Sequence, residues 1–120
     1  MDTGLIELVR TCIRSVWALE LLLFLRSHQT QPWTAERLVL EQRSSERAVR
    51  DALDGFVRAG LVKQVDTGFI YEPASAELDG LVTTLAGTYA ERPTAIIRLI
   101  AAAPEDRLRA FLDAFRLKRD

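Results

Sequence analysis

The chain has 120 residues, and hydrophobic residues make up 48% of it, which suffices for an ordinary packed core and excludes disorder over most of the length. A formal net charge of −1 excludes a nonspecific nucleic-acid coat, because such proteins bind through an excess of cations. The single cysteine, Cys12, and the single histidine, His28, exclude an internal disulfide and a zinc site of the usual ligand count. We predict neither a metal nor another cofactor.

The longest apolar run, residues 16–25, is too short for a membrane helix and contains Glu20. A bilayer-spanning helix needs about twenty apolar residues. The first ten residues, MDTGLIELVR, carry an acid where a secretory signal would carry basic residues. We therefore expect a cytoplasmic protein with no membrane partner.

The first elements are predicted to be helical. From Leu5 the apolar residues recur at three- and four-residue steps, which is typical of a helix with one buried face. Ser15 is a candidate N-cap, so residues 5–14 and 16–27 form either one helix or two. The second part is apolar almost all round, as expected of a helix in a domain core or a subunit contact.

Two capped helices follow. Thr34 is the predicted N-cap of a short helix that ends at a polar break, Gln42 to Ser44. Ser44 or Ser45 caps the next helix, and Gly60 is predicted to end it in the left-handed conformation. Two short strands around Asp66, Thr67 and Gly68 then predict a hairpin, which ends at Pro73.

The rest of the chain is predicted to be helical. A cap at Ser75 precedes an apolar stripe over residues 78–89, and residues 95–103 form a compact apolar helix. A last helix begins at Pro104, since proline is tolerated in a first turn. Its apolar face includes Leu108, Phe111 and Phe115.

Residues 16–73 have the element order of a winged helix-turn-helix. The stretches TAERLVLEQRSSERAVRDALDGFVRAGLV and KQVDTGFIYEP resemble the DNA-binding domain of bacterial winged-helix transcriptional regulators, in the broad group that includes MarR-type proteins. The resemblance implies a mainly α fold, with a three-helix core, a two-stranded β-wing and additional N- and C-terminal helices. We expect a single domain over residues 1–120, with an N-terminal helix at 1–15 and a C-terminal helical extension at 74–120 used for dimerisation.

The resemblance places the second short helix in the DNA major groove. Arg47 and Arg50 are then the best base readers, because an arginine fork can bind guanine O6 and N7 together, and Glu46 could accept from cytosine N4. Ser45 begins the same helix, and Arg43 and Lys63 are expected on phosphates. The alternative is that these charges are solvated and form pairs such as Glu46 with Arg50.

The charge of this region departs from that of a typical DNA-binding winged helix. Residues 34–73 carry six cations and seven acids, among them Asp51 and Asp54 on the reading helix and Asp66 at the wing tip. Two hypotheses follow. The first is a sequence-specific DNA-binding transcriptional regulator that acts as a homodimer on double-stranded DNA, and the second is a winged-helix adaptor that binds a partner protein instead.

The extra helices need partners for their apolar stripes. In the regulators that the chain resembles, such helices often form a two-fold dimer that sets two reading helices one DNA turn apart. The interface candidates are Leu5, Leu8, Val9, Ile13, Leu108, Phe111 and Phe115. The alternative is that these helices fold back onto the core of a monomer.

No motif indicates an enzyme. The chain has no glycine-rich phosphate loop, no G-x-S-x-G sequence and no histidine near a candidate nucleophile. Cys12 could sense peroxide, although a cysteine on an apolar face is usually an inert small hydrophobe. Trp17, Trp33 and Tyr89 could line an effector pocket, although single aromatics at helical spacing are more often core.

Overall fold

The computed structural model describes residues 3–102 of the chain. This part is mainly helical, with one two-stranded antiparallel sheet. The elements in chain order are α1 (Thr3–Cys12), α2 (Val16–Ser27), α3 (Ala35–Gln42), α4 (Glu46–Arg58), β1 (Val62–Val65), β2 (Gly68–Tyr71), α5 (Ala76–Glu91) and a helical segment α6 (93–102). This order is compatible with the winged helix that the sequence predicts.

Ser15 divides the N-terminal region into two helices. Its backbone is extended, and its hydroxyl accepts a hydrogen bond from the Ala18 N–H at 3.0 Å, as an N-cap does. The two-helix alternative is therefore confirmed. The cap turns the chain between α1 and α2, so that the two helices can contribute separate faces to one core.

Helix α2 lies at the centre of the core. Leu19, Leu21, Leu22 and Leu25 are completely buried, which explains why the helix is apolar on nearly all sides. Around it, α3 packs against α4, α4 packs against β1, and α2 itself contacts β2. Helix α2 therefore supports the hairpin through β2, and α4 and α3 are joined to the hairpin in turn.

The apolar face of α1 is covered by the chain itself. Leu5, Leu8, Val9 and Ile13 are all buried in the core, and α1 packs against α5. These four side chains therefore offer little area to a second copy, and their role in a subunit interface stays a prediction. The other three interface candidates, Leu108, Phe111 and Phe115, lie outside the described residues.

The end of α4 has the predicted left-handed glycine. Gly60 has φ +77°, its N–H donates to the Val57 carbonyl at 3.1 Å, and the Leu61 N–H donates to the Phe56 carbonyl at 2.9 Å. Leu61 is completely buried. The chain therefore leaves α4 in a fixed direction and enters β1.

The hairpin is joined to the connection between α2 and α3. Strands β1 and β2 pair with Val62 opposite Tyr71 and Val65 opposite Gly68. On the other side of β2, Trp33 and Phe69 exchange two backbone hydrogen bonds of 2.8 Å each. The sequence does not predict this bridge, which fixes the hairpin relative to the start of α3.

Gly68 makes the bridge possible. Its φ is +138°, a conformation that residues with a side chain rarely adopt, and a Cβ at this position would collide with the Trp33 carbonyl group. The glycine is therefore required both by its own backbone angle and by the close approach of the neighbouring chain.

We expect Gly68→Ala to lower the free energy of unfolding by about 2 kcal/mol or more, because the alanine must accept an unfavourable backbone angle and also displace Trp33. Urea denaturation followed by circular dichroism measures the change. Gly87→Ala on α5 is the control, since nothing lies within 4 Å of the position where its Cβ would be, and we expect it to stabilise the protein by up to about 1 kcal/mol. Equal unfolding midpoints for the two variants would contradict this interpretation.

Candidate functional site

We call one surface of the protein the α3–α4 face. It is formed by the start of α3, the connection between α3 and α4, and the first turns of α4. Both helices on this face begin with a side-chain cap. The Thr34 hydroxyl accepts from the Arg37 N–H at 3.2 Å, and the Ser45 hydroxyl accepts from the Ala48 N–H at 3.1 Å. The sequence left Ser44 and Ser45 as alternative caps of α4, and the structure shows that Ser45 is the cap.

The turn between the two helices is built around Arg43. This residue has φ 49° and ψ 51°, the left-handed conformation that glycine usually supplies, and it is the one non-glycine residue in the range 3–102 with positive φ. The backbone N–H groups of Arg43 and Ser44 both donate hydrogen bonds to the Val39 carbonyl. The side chain of Arg43 is exposed on the α3–α4 face.

Helix α4 divides into a buried and a charged side. Val49, Leu53 and Phe56 are buried in the core, as the sequence predicts. The opposite side is exposed and carries charged residues of both signs. They are Glu46, Arg47, Arg50, Asp51 and Asp54.

Arg47 is the most accessible cation of this group. Its side chain is 92% exposed, and its Nε lies 4.0 Å from Asp51 Oδ2, at the outer limit of an ion pair. An exposed pair of this kind contributes about 0 to 1 kcal/mol. The guanidinium can therefore change partners at little cost.

Arg50 is held by two carboxylates. Its Nε donates to Glu46 Oε1 at 3.0 Å, and its Nη2 donates to Glu36 Oε1 at 3.2 Å. We call these three residues the Arg50 clamp. The pair of Arg50 with Glu46 is the one that the i,i+4 spacing predicts, whereas Glu36 comes from α3 and is brought close by the fold alone. The clamp therefore links the first turns of the two helices.

A shallow hollow of about 200 Å³ lies between the start of α3 and the turn of the hairpin. Glu36, Arg50 and Asp66 are the charged residues that line it. One cation and two carboxylates give this hollow a net charge of −1, so it attracts a cationic group more readily than a phosphate.

Lys63 is separate from this group and has its own partner. It lies on β1, and its Nζ is 3.6 Å from Glu72 Oε2. The structure thus brings Arg43, Ser45, Glu46, Arg47 and Arg50 together on one face, and places Lys63 on the hairpin in an exposed ion pair.

The candidate effector-pocket aromatics have different environments. Trp33 is buried, packs edge-on against Phe24 with ring centres 4.9 Å apart, and donates its indole N–H to the His28 carbonyl. Tyr89 donates its hydroxyl to Glu20 at 3.1 Å, and partial burial and this carboxylate raise the pKa of Tyr89. Trp17 lines a cleft of about 270 Å³ beside Cys12. Trp33 is therefore a core residue.

Within residues 3–102, no three His, Cys, Asp or Glu side chains are grouped so that they could hold a metal ion. No helix in this range is both long enough and apolar enough to cross a bilayer.

Comparison of the chain with protein-family models, with curated proteins and with solved structures found no match.

We expect Ser45→Ala to lower the free energy of unfolding by about 1 kcal/mol, because the first turn of α4 loses its cap. The neighbouring Ser44→Ala removes a hydroxyl that does not cap the helix, and its effect should stay within about 0.5 kcal/mol. Chemical denaturation of both variants gives the comparison. A larger loss for Ser44→Ala would show that the cap is assigned to the wrong serine.

Proposed function

We propose that the protein is a winged helix-turn-helix that binds double-stranded DNA sequence-specifically and regulates transcription. The observation that carries the proposal is the exposed start of α4, which lies beside the turn of the hairpin. In this proposal α3 and α4 are the two helices of the motif, and β1 and β2 are the wing. The second helix of such a motif enters the major groove with its first turns near the base edges.

Arg47 is the main reader in this proposal. It is almost fully exposed, and its guanidinium can reach guanine O6 and N7 as a fork. Arg43 is placed at the turn, where a helix-turn-helix meets the phosphate backbone. The role of the Ser45 hydroxyl is to cap α4, and Glu46 is part of the Arg50 clamp.

Lys63 must exchange Glu72 for a phosphate if the hairpin is to contact DNA. The Lys63 and Glu72 side chains are 63% and 58% exposed. A pair this exposed contributes about 0 to 1 kcal/mol, so a phosphate can compete for the ammonium group.

We propose that a homodimer presents two copies of this surface. Because the α3–α4 face carries carboxylates as well as cations, one copy gains little from phosphate neutralisation, and two copies spaced by one DNA turn double the number of base contacts. With the α1 side chains buried, the C-terminal candidates Leu108, Phe111 and Phe115 remain, and the exposed Ile97 on α6 joins them.

Selection from a random pool of DNA duplexes tests this proposal. We expect the protein to enrich a motif with two-fold symmetry, and Arg47→Ala to lower the preference at one position in each half-site by about tenfold. Arg98→Ala on α6 removes the same charge outside the winged helix and should keep that preference. If no motif is enriched, the proposal is wrong.

A protein-interaction adaptor is the second candidate, and two observations favour it. The hollow beside Arg50 has a net charge of −1, and Leu40 on α3 is 77% exposed and so accessible to a partner. A protein segment with a basic and an apolar side chain would suit both features.

Leu40→Asp separates the two candidates. If the protein is an adaptor, we expect this variant to lose a stoichiometric partner that the wild-type protein retains in a pull-down, and we expect no DNA motif from either protein. If the protein reads DNA, the variant should enrich the same motif as the wild-type protein.

A further inference from the structure

The Arg50 clamp uses one edge of the guanidinium and leaves another edge open. Glu46 and Glu36 accept from Nε and Nη2, which together form the side edge of the group. Both hydrogens on Nη1 and the second hydrogen on Nη2 remain for other acceptors. One hydrogen on Nη1 and one on Nη2 form the end edge, which has the fork geometry that matches guanine O6 and N7.

The two carboxylates come from different helices, and together they favour one direction of the Arg50 side chain. Glu46 lies one turn before Arg50 on α4, and Glu36 lies in the first turn of α3. An arginine that is already held in one geometry loses less conformational freedom when it binds. Half of the Arg50 side chain is still exposed, so the held group remains accessible.

The charge of the clamp has a second effect. One guanidinium and two carboxylates give a net charge of −1, so the clamp as a whole repels a phosphate. A base edge, which carries no net charge, is repelled much less. The clamp therefore disfavours the use of Arg50 as a nonspecific phosphate contact, while the open edge still suits a guanine.

We propose that Glu36 is a positioning residue for DNA recognition, which with Glu46 directs the open edge of Arg50 toward a guanine. This inference rests on the proposed function, because it needs a DNA motif to act on. The inference assigns a role to Glu36 of α3, a residue that does not itself contact a base.

The experiment begins by locating the base that Arg50 reads. Arg50→Lys keeps the positive charge but lacks the fork, so the position at which selectivity drops is the Arg50 position. Glu36→Gln then removes the carboxylate charge of the clamp, and Glu41→Gln on the same helix is the matched control. Glu41 is exposed and is not part of the clamp. Thermal unfolding shows that all variants are folded.

We expect both glutamine variants to bind an unrelated duplex about twofold more tightly, because each loses one negative charge. Glu36→Gln alone should lower the guanine preference at the Arg50 position, by about threefold or more. If the two variants have the same motif, or if Arg50→Lys changes no position, the inference is wrong while the proposed function stands. If the wild-type protein enriches no motif, both are wrong.

Discussion

The pairing of Trp33 with Phe69 is the constraint on which the arrangement of the molecule depends. Two backbone hydrogen bonds hold the start of α3 against the hairpin, and the absence of a side chain at Gly68 lets the two chains approach. The other side of the same hairpin follows directly from the end of α4 through Gly60 and Leu61. Helices α3 and α4 and the hairpin are therefore held together as one unit, which contacts α2 through β2.

This unit gives the exposed charges a defined geometry. Arg43 is fixed at the turn by a left-handed backbone, Arg47 projects from the first turn of α4, and Arg50 is held by a carboxylate from each helix. The ion pairs on this face are all exposed, and exposed pairs are weak, so their presence does not by itself prevent an exchange of partners. What these pairs do change is the electrostatic background, since the nearby acids reduce the attraction for phosphates. In the proposed function, contacts with specific bases therefore supply a larger share of the affinity.

The sequence predicts the local features well, because they depend on neighbouring residues. Ser15, Thr34 and Gly60 are recognisable as caps, and the hairpin around Gly68 follows from the turn residues between two β-rich runs. The left-handed backbone of Arg43 is not predictable in the same way, since glycine is the usual signal for that conformation.

Contacts between distant residues are the part that the sequence does not provide. The spacing of Glu46 and Arg50 indicates one half of the clamp, but Glu36 joins it only when α3 and α4 pack together. The apolar stripe of α1 likewise indicates that a face is covered without indicating by what. The structure shows α5 packed against α1, where the sequence analysis predicted a second copy of the chain and kept packing within one chain as the alternative.

The most direct test of the central claim is a map of backbone amide chemical-shift changes on addition of the DNA duplex that selection yields. We predict that the largest changes occur in the turn at Arg43, in the first two turns of α4 and at the tip of the hairpin, and that they diminish as salt is raised. Changes confined to other surfaces, or no changes at any duplex concentration, would contradict the claim that the start of α4 reads DNA.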